Sequence, residues 1–347
     1  MRRTGNLLQQ IADPDNLRLA FWKARKGKNL SRQVGSYREN LEQNLLSLRE
    51  QILIGRVAVG DYHYFKIYDP KQRQICAAPF SEQVLHHALM NICHQYFEKK
   101  QIFDSYASRP DKGTHAAVLR AKKFCASKVW FLKLDVRKFF ASIEHKCLKK
   151  QMCRLFKDYE LLHILFTIID SYEGASDRGV PIGNLSSQYF ANHYLTGLDH
   201  FIKEQLHCKA YVRYMDDLVL WHNDKEWLKK SHHDIRNFIQ TNLQCDLKPE
   251  ILSRTKQGLP FLGFRIFPFH IRLLQRSKAR FIKKMRYIDV QYHSGAWSES
   301  VCQRRVLPLV AFTALADATE FRKNVLEKMK FARSLAEARE RVKGSLS

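Results

Sequence analysis

Two aspartates stand side by side at Asp216-Asp217, between the short runs Ala210-Tyr-Val-Arg-Tyr214 and Leu218-Val-Leu-Trp-His222. Both runs are rich in β-branched and aromatic residues, so they read as two strands joined by a tight acidic turn at Met215-Asp216-Asp217. Adjacent carboxylates repel, and the arrangement makes physical sense only if a cation neutralises them. A divalent ion suits them best. Mg²⁺ takes hard oxygen ligands, usually one or two carboxylates plus substrate phosphates, and a two-metal phosphoryl-transfer site holds its ions about 3.5–4 Å apart. Such a site asks for a third carboxylate. Asp135 supplies it by closing the apolar run Trp130-Phe-Leu-Lys-Leu134, where an acid at the end of a buried strand is costly unless it faces a metal site. Taken singly, an Asp at a strand end is ordinarily a turn residue.

The chain has 347 residues, 45% of them hydrophobic and 12% aromatic, enough for two or three packed modules and too apolar for a disordered basic tail. Its 59 Lys and Arg against 34 Asp and Glu leave a net charge of +25, which repels itself unless a polyanion offsets it. Nucleic acid is the expected partner, with a solvated basic surface as the plain alternative. No run of about 18 apolar residues offers a membrane span, and no apolar segment follows Met1-Arg2-Arg3-Thr4 to make an export signal, so a cytoplasmic location is expected. The eight cysteines are scattered without zinc-type spacing and read as buried thiols.

Along the chain, a polar basic arm precedes an amphipathic helix within residues 37–60, carrying Leu41, Leu45, Leu48 and Ile52 on one face. A β-rich segment from Val57 to Ile75, broken at Asp69-Pro70, leads to a helix from about Ser81 to Glu98, then a loop from Asp104 to Thr114. Turn-rich residues 173–184 precede a long helix at about Leu185–Leu206, with a seam of Ala191, Leu195, Leu198, Ile202 and Leu206. A final hairpin at Pro260-Phe-Leu-Gly-Phe-Arg-Ile-Phe267 is followed by helical sequence over 276–347. Residues 261–347 hold 18 Lys and Arg against 7 Asp and Glu, and six of the cations fall in Arg276–Arg286, where a helix could track a phosphate backbone. His86-His87 and His232-His233 read as ordinary histidines, since neighbouring residues diverge on a helix and no matching ligands follow.

In order, these features resemble the palm of reverse transcriptases. Tyr214-Met215-Asp216-Asp217 is similar to the Y-x-D-D box, Asp135-Val-Arg-Lys-Phe-Phe140 to the motif carrying the first aspartate, and Gly179-Val-Pro-Ile-Gly183 to the loop between them. Asp69-Pro-Lys-Gln-Arg73, Ser105-Tyr-Ala-Ser-Arg-Pro110 and Pro260-Phe-Leu-Gly-Phe264 fall in the order expected for fingers, fingers-to-palm segment and primer grip. Within that family, Ile182-Gly-Asn-Leu-Ser-Ser-Gln188 and Asp104-Ser-Tyr-Ala-Ser-Arg-Pro-Asp-Lys-Gly-Thr-His115 resemble the signatures of diversity-generating retroelement enzymes, which are related to group II intron reverse transcriptases.

The resemblance implies an α+β right-hand polymerase with an antiparallel palm sheet: residues 1–56 as arm and helix, 57–128 as fingers, 129–264 as palm, 265–347 as helical basic thumb. With the hand filling the chain, no segment is left for a ribonuclease H, integrase or endonuclease domain. It implies that Asp135 and Asp216 hold two Mg²⁺ ions, for which Mn²⁺ can substitute, with the Val136 backbone as a further donor. Asp217 joins them only if the turn twists it inward, because adjacent strand residues face opposite ways. Lys71 and Arg73 are candidates to grip the triphosphate. Phe140 matches the position that excludes a ribose 2′-hydroxyl by clash, while Phe139 reads as core. Most of the family carries glutamine where this chain has Ile182. An isoleucine only fills space, so fewer polar checks act on the base pair and fidelity should fall; the resemblance implies errors opposite template adenine. Gln188 and Ser187 are candidates for nucleotide or template contact, with a helix cap the alternative for the serine. Arg109 either anchors template RNA or ties its loop to the palm. Gly183, Tyr214, Met215, Phe261, Leu262 and Gly263 complete the template and primer contacts, and Lys248 and Lys256 are the candidate general acids. Implied partners are template RNA, a DNA primer or cDNA, deoxynucleotide triphosphates and a small basic accessory protein, in a bacterial, archaeal or phage setting. The alternatives are an intron or phage-defence reverse transcriptase of ordinary fidelity and a non-catalytic RNA-binding scaffold.

Overall fold

The computed structural model describes residues 3–28, 30–68, 72–172 and 177–329. In chain order the elements are helices α1 (Leu8–Ile11), α2 (Pro14–Arg25), α3 (Arg32–Glu39) and α4 (Leu41–Leu53), strands β1 (His63–Ile67) and β2 (Arg73–Ala77), helices α5 (Phe80–Glu98) and α6 (Thr114–Ser127), and strand β3 (Trp130–Asp135). Helices α7 (Phe139–Ser142), α8 (His145–Leu155), α9 (Tyr159–Asp170), α10 (Leu185–Tyr194) and α11 (Thr196–His200) lead through a π-helical turn, Phe201–Gln205, to β4 (Tyr211–Tyr214) and β5 (Asp217–His222). Then come α12 (Lys225–Leu243), β6 (Ile251–Arg254), β7 (Leu259–Phe261), β8 (Phe264–Ile266), β9 (Ile271–Leu273), α13 (Gln275–His293), α14 (Glu299–Ala314) and α15 (Thr319–Leu326).

The sheets are a β1-β2 hairpin, a four-stranded sheet in the order β4-β5-β3-β6, and a β7-β8-β9 meander. The chain divides into two compact units: the described parts of Met1–Arg109, Leu134–Leu218 and Lys229–Glu250, and those of Pro110–Lys133, Val219–Leu228 and Ile251–Ser347.

In the first unit, α5 is the central helix, burying Val84, Leu85, Ala88, Leu89 and Cys93. The residues expected to form a polar arm instead supply two of its neighbours, α1 and α2. Asp13 caps α2 by accepting from the Asp15 and Asn16 amides, Pro14 opens the helix, and Leu17, Ala20, Phe21 and Ala24 form a buried stripe. Asn16 Nδ2 donates to the Ile11 and Ala88 carbonyls (2.9 and 3.1 Å), fixing α2 on α5. The expected leucine stripe lies on α4, where Leu45, Leu48 and Ile52 are buried.

The helix expected at 185–206 is broken. Thr196 Oγ1 donates back to the Asn192 carbonyl (3.3 Å), Gly197 follows, and the chain continues as α11 and the π turn. Ala191, Leu195, Leu198 and Ile202 are buried as anticipated.

In the second unit, α6 packs on β8, and Trp221 Nε1 donates to Cys125 Sγ (3.3 Å). The strand β9 extends the expected hairpin, because Ile271 and Leu273 alternate with exposed Arg272 against β8. Helices α13 and α14 bury Phe281, Met285, Ile288 and Cys302 together. The end of the basic C-terminal segment, residues 330–347, lies outside the described residues. All eight cysteines are free; six are buried, while Cys147 and Cys153 are half-buried rather than buried as expected. No described helix is long and apolar enough to cross a membrane.

The N-terminus is tied to α9 by one carboxylate. Asp158 accepts from the Asn6 and Leu7 amides (2.8 and 2.7 Å), seating fully buried Leu7. Asp158→Ala removes two charge-assisted hydrogen bonds and should cost about 2–3 kcal/mol in urea unfolding, with earlier proteolysis before residue 14; an unchanged midpoint would refute the tie.

Candidate active site

The turn between β4 and β5 has an unusual backbone. Met215 sits at φ +55°, a left-handed conformation ordinarily left to Gly or Asn, and its half-buried neighbours Asp216 and Asp217 follow in the turn and at the start of β5. What holds the turn there is the residue two positions earlier. Arg213 is fully buried, and its guanidinium pairs with fully buried Asp199 through Nε (2.8 and 2.9 Å) and Nη2 (2.7 Å). It also donates to Asn192 Oδ1 (3.0 Å), Gln101 Oε1 (3.1 Å) and the Met215 carbonyl (3.2 Å). The Tyr211 hydroxyl adds a bond to Asp199 Oδ1 (2.7 Å), and burial beside that carboxylate pushes its pKa well above the usual value. Every charge in the cluster is matched, as deep burial requires.

A second belt clamps the same strand. The Arg213 amide donates to the Asp104 carbonyl and the Tyr106 amide to the Arg213 carbonyl (both 2.9 Å), so Asp104-Ser105-Tyr106 runs parallel beside β4. Asn192 Nδ2 donates to the Ala107 carbonyl (2.7 Å), and Lys203 pairs with Asp104 (2.9 Å).

Asp135 ends β3, and the Val136 amide donates to the Asp216 carbonyl (3.3 Å), bringing the first aspartate to the acidic turn. On its other side, the Lys248 amide donates to the Asp135 carbonyl (2.8 Å) and the Lys248 ammonium pairs with the Asp135 carboxylate. The Asp216 carboxyl is pushed up to about 6, first by burial, then by the charges of Asp135 and Asp217. The charges of Asp135 and Asp217 thus both act on Asp216. Among the described residues no group of three or more His, Cys, Asp and Glu has metal-holding geometry; Lys248 is the cation against Asp135. The donor set, carboxylate and backbone oxygens, is the hard one Mg²⁺ prefers.

The other sequence candidates fall as follows. Phe139 is buried, as a core residue is expected to be, and Phe140 is half-buried, their rings edge to face at 5.8 Å. The Ile182 carbonyl accepts from the Cys76 amide (2.9 Å), and Gly183 follows at φ +132°, where a Cβ would lie 2.7 Å from the Cys76 carbonyl; glycine is needed for that approach. Gln188 is exposed on the first turn of α10 and accepts from Ser108 (2.9 Å), while Ser187 is buried with no side-chain cap bond on that helix. Arg109 spends its guanidinium on Glu98 (Nε 3.0 Å) and on the Ile102 and Ser105 carbonyls (2.7 and 2.6 Å). These bonds tie its loop to the end of α5. Arg73 is exposed at the start of β2; Lys71 lies outside the described residues. In the second unit, Phe261 is fully buried and Leu262 and Gly263 turn at φ +49° and +92° between β7 and β8. Lys256 is exposed in a 3₁₀ turn. Buried His86 pairs with Glu82 (3.1 Å), and burial lowers His87 to about 4, so both are ordinary histidines.

A profile of the family described as reverse transcriptase (RNA-dependent DNA polymerase) matches residues 69–266. The chain belongs to that family. It is 20% identical over 283 residues to the COX1/OXI3 intron 2 protein of Saccharomyces cerevisiae, a match covering 62% of this chain and 32% of that protein. It is 21% identical over 285 residues to protein YkfC of Escherichia coli, covering 67% of this chain and 75% of YkfC. The match thus spans about a third of the yeast relative's length. Among solved structures, apo telomerase from Candida tropicalis aligns with a TM-score of 0.48 at 11% identity, over 79% of this chain and 63% of that one.

The network missed from sequence is Arg213-Asp199-Asn192-Gln101. Its one signal was an arginine inside an otherwise apolar strand. Arg213→Ala leaves a buried Asp199 charge and should cost about 3–5 kcal/mol, whereas Arg213→Met with Asp199→Asn should recover much of it in thermal unfolding; equal losses would show that the ion pair is not what matters.

Because Asp216 ionises less readily when folded, its charge opposes folding: the penalty is absent below about pH 4 and complete above about pH 6. Asp216→Asn should therefore stabilise the metal-free protein by about 3 kcal/mol at pH 8 and by little at pH 4. A melting difference independent of pH would contradict the clustered carboxylates.

Proposed function

We propose that the chain is an RNA-directed DNA polymerase of right-hand form that makes error-prone cDNA for a diversity-generating retroelement. The observation that carries the polymerase reading is the joining of Asp135 to Asp216 and Asp217 around one turn, with Asp216 raised to about 6 first by burial and then by its acidic neighbours. A buried carboxyl whose ionisation is opposed by two neighbouring acids is prepared for a divalent cation. Residues 57–128 would act as fingers, 129–264 as palm and 265–347 as thumb.

Asp135 and Asp216 would hold two Mg²⁺ ions, with Asp217 and the Val136 backbone as further donors. Bound there, the metal would lower the pKa of the primer 3′-hydroxyl and neutralise charge on the transferred phosphoryl group. The chain's own residues do the rest. Lys248, already paired with Asp135, is the better-placed general acid for the pyrophosphate than exposed Lys256. Arg73 would grip the triphosphate, half-buried Phe140 would exclude a 2′-hydroxyl, and Ile182, its backbone pinned to β2, would press an apolar side chain on the base pair. Template RNA, primer, deoxynucleotide triphosphates and a small basic accessory protein are the partners this reading requires. The likeness to the yeast intron 2 protein favours a second reading, an intron-lineage enzyme of ordinary fidelity.

Copying a defined mixed-sequence RNA with Mg²⁺ and all four deoxynucleotides, with and without accessory factors, tests both levels. Asp216→Ala with Asp217→Ala should abolish incorporation by more than about 10³-fold while RNA binding persists; retained synthesis would remove the metal assignment. Errors concentrated opposite template adenine support the retroelement reading. Evenly rare errors return the enzyme to the intron lineage.

A further inference from the structure

In the first unit, the segment Gly179-Val-Pro-Ile-Gly-Asn184 is closed at both ends and open in the middle: Gly179, Val180, Pro181 and Asn184 are buried, Ile182 is half-buried and Gly183 exposed. Its backbone is bonded along its length. The Gly179 amide donates to the Ile143 carbonyl (2.7 Å), the Val180 amide to the Phe140 carbonyl (2.9 Å), and the Ile182 carbonyl accepts from the Cys76 amide (2.9 Å). Gly179 sits at φ +97°, where a Cβ would lie 2.8 Å from the Tyr172 ring, so only glycine admits this approach.

Two side chains outside the segment brace its ends. His145, buried at the start of α8, donates from Nε2 to the Gly179 carbonyl (2.7 Å), and its Nδ1 faces the Asp170 carboxylate (3.3 Å), whose other oxygen pairs with Lys149 (2.6 Å). With an acceptor beside each nitrogen, the ring is held in one orientation. At the far end, Asn184 occupies the N-cap position of α10 but makes no cap bond, although asparagine is among the residues that cap best. Its amide instead donates to the Tyr62 hydroxyl (3.4 Å). The direction of this chain is fixed. Ser171 spends its one proton on the Ile168 carbonyl (2.8 Å), so Tyr62 donates to Ser171 Oγ (2.6 Å) and its oxygen is left to accept from Asn184. Burial pushes the Tyr62 pKa well above the usual value, so that proton is kept. Both braces are anchored on consecutive residues, Asp170 and Ser171, at the end of α9.

An isoleucine sorts base pairs by shape alone, and shape sorts only where the wall does not yield. On the basis of the polymerase reading, we propose that His145 and Tyr62 are positioning residues for nucleotide selection, acting through Gly179 and Asn184 to hold the Ile182-Gly183 edge rigid against the nascent base pair. Their bonds run to the segment and to the end of α9, not to the acidic turn. Loosening either brace therefore leaves the acids in place and lets the edge give.

The test is single-nucleotide incorporation by the full chain on a defined RNA template, with kcat and KM measured for matched and mismatched deoxynucleotides after titration of active sites, beside thermal unfolding. Tyr62→Phe and His145→Leu should each raise the matched KM about fivefold and cut discrimination against mismatches about fivefold, with the matched kcat changed less than about twofold, the scale of one lost hydrogen bond. His145→Gln, whose amide keeps a donor for the Gly179 carbonyl, should restore most of the wild-type selectivity. Tyr62→Phe combined with Asn184→Ala should lose no more selectivity than either change alone, since the two act through one bond. A purely structural role predicts lower melting temperatures and fewer active sites, with the KM and selectivity of the remaining sites unchanged; that result overturns the braces, as does additivity in the double variant. Should His145→Leu not fold, Tyr62→Phe and Ser171→Ala decide. Incorporation by the wild-type chain with selectivity unchanged in the variants overturns the positioning roles alone, whereas a wild-type chain that incorporates nothing removes the polymerase reading and these roles with it.

Discussion

The buried pairing of Arg213 with Asp199 is the interaction on which the rest of the first unit turns. A guanidinium in the interior is tolerable only when each of its donors is used, and here a carboxylate, two side-chain amides and two backbone carbonyls use them. One of those bonds reaches the Met215 carbonyl, so a left-handed residue that would otherwise relax is held in place. The acidic turn inherits its shape from that restraint. Because Asp199 and Asn192 lie on α11 and α10, the break between those helices is part of the same device: an unbroken helix would carry both side chains along a different line.

The arrangement also separates two electrostatic tasks. Beneath the turn, Arg213 and Asp199 neutralise each other and carry no net charge to the surface. At the turn, Asp135, Asp216 and Asp217 stand together, and Lys248 pairs with Asp135. On the proposed reading, a site that accepts a cation gathers its acids in this way, and the buried ion pair beneath it is locally satisfied. The wider chain carries +25, so the acids are a small negative focus in a strongly positive molecule, an arrangement suited to a polyanionic strand that brings its own phosphates to a metal.

The chemistry-bearing residues were legible because their identities conflict with their surroundings. Two adjacent acids between apolar strands, and an acid closing a buried strand, are unfavourable unless used. Spacing set Phe139 apart as the core residue, and it is the more buried of the two. Arg109 and Gln188 were less legible, since an exposed-looking arginine or glutamine has the same sequence appearance whether it meets a ligand, Glu98 or Ser108. The helical start was misread as an arm although Asp13-Pro14 and the Leu17-Ala20-Phe21-Ala24 stripe signalled α2; the surrounding lysines and arginines obscured a short periodic pattern.

What the sequence by itself determined was the set of local conflicts and periodicities: the acidic hairpin, the leucine face of α4, the strand ending at Asp135, and membership of an order of motifs. Only the tertiary structure decided which distant groups resolve those conflicts. Arg213 finds Asp199 from 14 residues away, Lys248 finds Asp135 from 113, and Cys76 meets the Ile182 carbonyl across the fold. Periodicity reports which way a side chain faces, but the partner on the facing element is set by packing, and packing is a property of the whole chain.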